Sequence, residues 1–184
     1  MNRFIEGKKI YLRPFTKSDI SIWFDWFNDP LITEYMNKGV FPNTESAQEE
    51  YFKSLLQSKR DVQLAIVLKE SEALIGIVGI HKIDWVHRHG DVSILIGDKK
   101  LWGRGIAKET VGLVVRHAFK KMNLNRLTSG MSGLNIGSKK CFEENGFILE
   151  GTKRKHFCYN GRYVDEYMLG LLREEWEKKT ARCR

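Results

Sequence analysis

Cysteine is scarce: Cys141, Cys158 and Cys183 are the only three, an odd number, and no Cys-x-x-Cys pair occurs. That spacing gives no basis for a disulfide framework or a paired-cysteine zinc site, and the three are read as reduced and structural. Proline is equally sparse, three in 184 residues, so no proline-rich linker divides the chain. No apolar run approaches the ~18 residues of a membrane span. The opening Met1-Asn-Arg-Phe-Ile-Glu-Gly-Lys8 lacks the apolar core of a secretion signal. Internal repeats and low-complexity segments are also missing. The expectation is therefore one cytoplasmic globular domain over 1–184, large enough to bury a core, with 173–184 as a charged tail.

The chain is not acidic: its formal net charge is +8. Such a balance favours acidic partners, whether phosphorylated cofactors, nucleotide-linked substrates or ribosomal surroundings. Lys8-Lys9, Lys120-Lys121, Lys139-Lys140, Lys153-Arg154-Lys155 and Lys178-Lys179 are scattered, as on a solvated surface. No basic stripe interleaved with aromatics is present, so direct nucleic-acid binding is not expected, nor is membrane binding. Monomer and homodimer both stay open.

Periodicity then orders the chain. Lys9–Arg13 alternates and ends at Pro14, as an edge-proximal strand does. Thr16 and Asp19 resemble a capping box, followed by Ile20, Trp23, Phe24 and Phe27 at helical spacing until Asn28-Asp29-Pro30. Leu31–Pro42 has no sustained period, and Tyr35, Met36 and Phe41 there are candidate pocket walls. Thr44 or Ser46 caps a second helix running to about Lys59, with Ala47, Tyr51, Leu55 and Leu56 on one face. Val62–Leu68 and Leu74–Ile80 read as a hairpin, with His89–Ile96 pairing antiparallel to the second run. Arg104–Met122 is helical and Arg126–Met131 is a strand, which together with the preceding strand make a βαβ unit. Asn135–Asn145 is a shorter helix closed by Gly146. The last hairpin turns at Asn160-Gly161, and Trp176 sits in a short terminal helix.

Two stretches carry chemistry. In the first, an apolar strand ends in Trp102-Gly-Arg-Gly-Ile-Ala107, where Gly103 and Gly105 let backbone N–H groups converge at a helix N-terminus. That arrangement suits an anion, most naturally a phosphate, although Gly-x-Gly before a helix taken alone also fits a plain tight turn. In the second, Asn135-Ile-Gly-Ser138 leads into Cys141-Phe-Glu-Glu-Asn-Gly-Phe147. Both motifs, in this order of elements, resemble the GCN5-related N-acetyltransferase (GNAT) superfamily over nearly the whole chain. Glu150-Gly-Thr and Asn160-Gly-Arg-Tyr-Val-Asp165 resemble its RimJ/RimL-type branch, whose members acetylate protein N-termini.

The resemblance implies an α/β (α+β) GNAT fold. It would be a mixed, mostly antiparallel sheet of six to seven strands, flanked by about four helices and splayed at the acetyl-CoA-binding strand. It implies acetyl-CoA as cofactor, with Trp102, Gly103, Arg104, Gly105, Ile106 and Ala107 at the pyrophosphate. Backbone groups of Leu95, Ile96 and Gly97 would meet the pantetheine arm, and Asn135 and Ser138 the thiol end. Trp102 departs from the usual Gln or Arg. Phe142 stands where many members place a Tyr that protonates the leaving thiolate, and Phe has no proton to give. Ser138, one turn earlier, is the candidate acid by the same resemblance.

The residues alone leave the base open. Asp91, nearest the strand, competes with Asp84, His87, His89 and Glu34, and a water chain serves an α-amine of pKa ~8. Tyr35 and Trp85 are the candidate acceptor walls, and Arg154, Lys155 and Arg162 would steer an acidic acceptor. The expected reaction is direct attack of a primary amine on the thioester, the acceptor being a protein N-terminus. A nucleotide-linked amino sugar or a polyamine is the alternative, and a non-catalytic acyl-CoA-binding module the rival of another class.

Overall fold

The computed structural model describes residues 3–36 and 41–181. Cys183 and part of the Leu31–Pro42 segment lie outside the described residues. Eight strands form one sheet: β1 (Ile5–Glu6), β2 (Ile10–Arg13), β3 (Val62–Leu68), β4 (Leu74–Asp84), β5 (His89–Ile96), β6 (Arg126–Ser132), β7 (Ile148–Tyr159) and β8 (Arg162–Leu172). Their order is β1-β2-β3-β4-β5-β6-β8-β7. Every neighbouring pair is antiparallel except β5 and β6, which the βαβ crossover makes parallel. The helices are α1 (Ile20–Asn28), α2 (Pro30–Thr33), α3 (Glu45–Gln57), α4 (Ile106–Lys120), α5 (Ile136–Glu144) and α6 (Arg173–Ala181).

The sheet has one strand more than the six to seven expected, and among the α-helices only α2 matches no segment read from the sequence. The extra strand, β1, is two residues pairing with Tyr11 and Leu12, too short to show a period. The extra helix α2 is a single turn that Asp29 initiates, its carboxylate accepting from Leu31 N (2.9 Å) and Ile32 N (3.4 Å) with Pro30 at the first helical position. Four residues are below what apolar spacing can reveal.

Two cores lie on opposite faces of the sheet. Ile10, Leu12, Ile66, Val78 and Ile80 meet Val111, Val115 and Phe119 of α4 and Phe142 of α5 on one face. On the other, Trp23, Trp26 and Phe27 of α1 pack with Ile77 and Leu95. In α3 the buried stripe is rotated from the expected one: Gln48 is buried and Tyr51, Phe52 and Leu55 pack on the core, whereas Ala47 and Leu56 are exposed. The Thr16–Asp19 capping box is formed, and Asp19 is at the same time clamped by Arg13 through two 2.7 Å bonds.

One topological feature builds the site. β5 and β6 pair only at His89–Arg126, Gly90–Leu127 and Asp91–Thr128, after which the register ends although both strands continue. The wedge between Val92–Ile96 and Ser129–Ser132 therefore carries backbone groups with no strand beside them.

Candidate active site

A cavity of about 500 Å³ occupies the mouth of this wedge. Its walls are the end of β5 (Ile94, Leu95, Ile96), the loop and first turn of α4 (Leu101, Trp102, Gly103, Gly105 to Lys108), α5 with its cap (Asn135, Gly137, Ser138, Lys140, Cys141, Glu144), and Leu31 to Met36 without Thr33. Of the residues singled out in the sequence, Leu95, Ile96, Trp102, Gly103, Gly105, Ile106, Ala107, Asn135, Ser138 and Tyr35 converge on it.

The two glycines set the backbone of the loop. Gly103 and Gly105 have φ of 73° and 79°, left-handed values that cost an L-residue about 1–2 kcal/mol. Gly105 is the N-cap of α4, so the N–H groups of the first turn have no helical partner and face outward with the positive end of the helix dipole. Glu109 would oppose an anion there, but its carboxylate is drawn away to Lys8 N (2.5 Å) and Lys9 N (3.0 Å) in the β1–β2 turn. Trp102 Nε1 donates to the carbonyl of Ile96 at 2.8 Å, tying the loop to the strand end.

The β5 backbone refines the expectation for the wedge. Gly97 N–H is donated to Ile75 O (2.9 Å) on β4, and Arg88 O accepts from Arg126 N (3.2 Å) on the β6 side. Alternation along a strand then turns Leu95 and Gly97 toward β4, and Ile94 and Ile96 toward the wedge. Ile94, absent from the expected set, thus belongs to the wall. Gly97 does not line it, and has a packing role instead, because a Cβ there would collide with the Trp26 ring.

Three other expected site residues lie outside this wall. Arg104 lines a neighbouring basic cleft of about 380 Å³ with Lys8, Lys9 and Lys69, on the far side of the loop. Trp85 is half exposed at the β4–β5 turn, its Nε1 held by Lys59 O at 2.8 Å, and it is not part of the cavity wall. Asp91 sits at the fork of β5 and β6, also off the wall, accepting from Thr128 Oγ1 at 3.0 Å. Burial raises its pKa, against the pull of the Thr128 bond and of Lys82 and His81. Asp84, by contrast, serves the β4–β5 turn, accepting from His87 N (2.7 Å) and Val86 N (2.9 Å). Phe41, Arg154, Lys155 and Arg162 are exposed and are not in this wall.

On the opposite wall, Asn135 caps α5, its Oδ1 accepting from Ser138 N at 3.0 Å. The Ser138 side chain lines the cavity one turn before Phe142, which is buried edge-on against Phe147 at 5.0 Å between centroids. The Phe at this position is core. Cys141 also reaches the wall, with burial pushing its thiol pKa up to about 12. Lys108, Lys140 and Cys141 were missed in the sequence; the signal available was their placement one turn or less from Gly105 and Ser138. Tyr35 packs edge-on with Tyr159 at 5.9 Å, which brings the tip of the last hairpin to this end of the cavity. No cluster able to hold a metal ion occurs among the described residues.

This geometry coincides with the comparisons to known proteins. The acetyltransferase (GNAT) domain family model matches residues 9–148, which include the loop, the wedge and α5. The chain belongs to the GNAT family. As a member it is an N-acetyltransferase, and acetyl-CoA is the family's cosubstrate. This GNAT chain is 28% identical over 176 residues to the uncharacterized N-acetyltransferase p20 of Bacillus licheniformis, covering 92% of this chain and 96% of the relative. It is 23% identical over 174 residues to spermidine N(1)-acetyltransferase of Vibrio cholerae, covering 95% and 99%. The crystal structure of a spermidine N-acetyltransferase from Vibrio cholerae in complex with CoA and spermine matches with a TM-score of 0.85 at 22% identity, over 93% of this chain and 99% of that one. At that identity the match shows the GNAT fold.

Proposed function

We propose that this protein transfers the acetyl group of acetyl-CoA to a primary amine by direct attack on the thioester, and that the amine is a protein N-terminus. The observation that carries the reading is the single cavity joining the open first turn of α4 to the unpaired edge of β5 and the Ser138 wall. The α4 amides, with Lys108 and Lys140 beside them, take the pyrophosphate. The pantetheine arm adds to Ile94 and Ile96 as a substitute strand, which sets the carbonyl carbon between β5 and α5. A β5 amide on that edge faces the oxygen as charge develops on it.

In this reading the C–N bond forms, the C–S bond breaks, and Ser138 passes a proton to the departing thiolate in place of the Tyr that Phe142 replaces. Asp91, the base expected from the sequence, lies off the cavity wall, so the amine's proton needs an acceptor nearer to Leu95. The acceptor side favours a peptide. Leu31, Tyr35 and Met36 give it an apolar wall with Glu34 as its carboxylate, and the +8 chain repels a polycation at long range. The second reading, a polyamine acceptor, is favoured by the likeness to the Vibrio cholerae spermidine enzyme. Thiol release from acetyl-CoA, measured with N-terminal peptides, spermidine and amino-sugar nucleotides side by side, separates them. Peptide turnover well above the others supports the first, preference for spermidine replaces it with the second, and CoA binding with no turnover on any amine refutes catalysis.

A further inference from the structure

On the face of β4 and β5 that packs toward α1 and α3, three side chains stand in line. Asp61, just before β3, accepts at Oδ1 from the direction of His81 Nδ1 at 3.3 Å, and His81 Nε2 lies 2.9 Å from Ser93 Oγ. With Nδ1–H directed at Asp61, Nε2 is free to accept the Ser93 proton. Asp61 is itself fixed, accepting from Ser58 Oγ (2.6 Å) and Lys82 N (3.2 Å). Burial raises its pKa, but those bonds and His81 outweigh it and hold the carboxyl below its ordinary value. The imidazole lies back over Gly79, the register partner of Ser93, where a Cβ would strike the ring. The sequence at three places therefore maintains one hydrogen-bonded row, and its outer end, Ser93, is exposed.

The row points along the strand to the reaction. Ser93 is two residues before Leu95 on the same face, about 7 Å away at the rise of a strand, and Leu95 is in the cavity wall. Asp91 lies two residues farther off, mostly buried and held by Thr128.

We propose that Asp61, His81 and Ser93 form the relay that takes the proton from the acceptor ammonium. This rests on the acetyl-transfer reading above. Ser93 Oγ receives a proton from the ammonium nitrogen as its own passes to His81 Nε2, leaving a neutral amine and an imidazolium that Asp61 stabilises. The amine lone pair then forms the C–N bond. The second nitrogen proton, lost once C–S breaks, balances the one given to the thiolate, and His81 returns its proton to solvent. Ser93 is the catalytic residue in this step; His81 and Asp61 act through it. The charged and titratable groups facing His81 are Asp61 before β3, Asp91 on β5 and Lys82 on its own strand, with Tyr51 of α3 facing Asp61.

The test compares wild type with His81→Gln, Asp61→Asn and Ser93→Ala, reading kcat and acceptor kcat/KM against pH and CoA affinity by calorimetry. A positioned base contributes about 10²–10⁴-fold, so His81→Gln should lose about 100-fold in kcat at pH 7. It should keep its CoA affinity and shift the acidic limb toward the amine's own pKa, so that its rate recovers at high pH. Wild-type kcat with an unmoved limb in His81→Gln overturns the relay. Should His81→Gln fail to bind CoA, the exposed Ser93→Ala decides by the same limb: a shift supports the relay and an unmoved limb overturns it. Absence of turnover in the wild type itself falls on the acetyl-transfer reading, and the relay falls with it.

Discussion

Trp102 Nε1 donates to Ile96 O at 2.8 Å, so the side chain that departs from the usual Gln or Arg of this loop closes the end of the splayed strand. The backbone of Ile96 is turned to the wedge, and the bond ties the α4 loop, proposed to hold the pyrophosphate, to the β5 edge proposed to align the thioester. Trp102→Phe keeps a ring and loses the donor. A tethered loop holds both ends of the donor substrate, so we expect KM for acetyl-CoA to rise about 5–10-fold, equivalent to about 1–1.4 kcal/mol. kcat should change less than KM in steady-state kinetics.

Gly105→Val tests the cradle itself. No atom lies within 4 Å of a Cβ at Gly105, so only the φ of 79° opposes the substitution, and it does so for any β-branched residue. Relaxing that strain turns the first-turn amides away. Calorimetry should show CoA affinity down at least about tenfold, or about 1.4 kcal/mol, with the thermal transition lowered by a few degrees through the backbone strain. Unaltered affinity would place the pyrophosphate elsewhere.

Much of this site was legible in the sequence because its signals are local. Gly103 and Gly105 follow an apolar strand and open a helix, and Asn135 with Ser138 opens the next. The order of elements was equally legible, since α4, β3–β5 and the final hairpin are long enough to show their periods. What was not legible depends on direction and register. Which β5 residues face the wedge follows from hydrogen bonds at Gly97 and Arg88, which put Ile94 in the wall and remove Gly97. Trp85 and Phe41 look like pocket walls by composition and are turned outward. His81 and Ser93 are twelve residues apart on different strands; the β4–β5 register brings these two together, and the β3–β4 register sets Asp61 beside His81.

Arg13 and Asp19 make a nearly inaccessible ion pair between β2 and the turn before α1. Burial raises the Asp19 pKa, but the two Arg13 bonds and those from Thr16 outweigh it, and the folded value lies below the ordinary one. A depressed folded pKa contributes stability that is complete above the unfolded value near ~3.9 and is lost as pH falls through the folded value. Arg13→Met should cost about 3–5 kcal/mol in urea unfolding at pH 7, the typical loss when one partner of a buried pair is removed. The difference from wild type should shrink below pH 4. A loss independent of pH would assign the effect to packing.

Cys141 and Cys158 should respond oppositely to alkylation. Cys141 is buried at the cavity wall with its pKa pushed up to about 12, so at pH 8 it holds almost no thiolate, whereas Cys158 is exposed on β7. Peptide mapping after iodoacetamide treatment should find label on Cys158 and none on Cys141 until the protein is unfolded.

Ser138→Ala removes the proposed acid while leaving the N–H that Asn135 caps, so the helix start is preserved. kcat should fall by about 10–100-fold with CoA affinity retained, in keeping with the loss of a positioned proton donor. Asn135→Ala should instead lower stability by about 1 kcal/mol.

In the proposed reaction the wedge between β5 and β6 delivers an acetyl group to an amine. Its most direct measurement is a mass spectrum of an N-terminal peptide after incubation with the protein and acetyl-CoA, with free thiol counted in parallel. We expect one acetyl group on the α-amine for each thiol released, abolished when the amine is blocked. Thiol release without acetylated peptide, spermidine or amino sugar, or CoA binding with neither product, would contradict it.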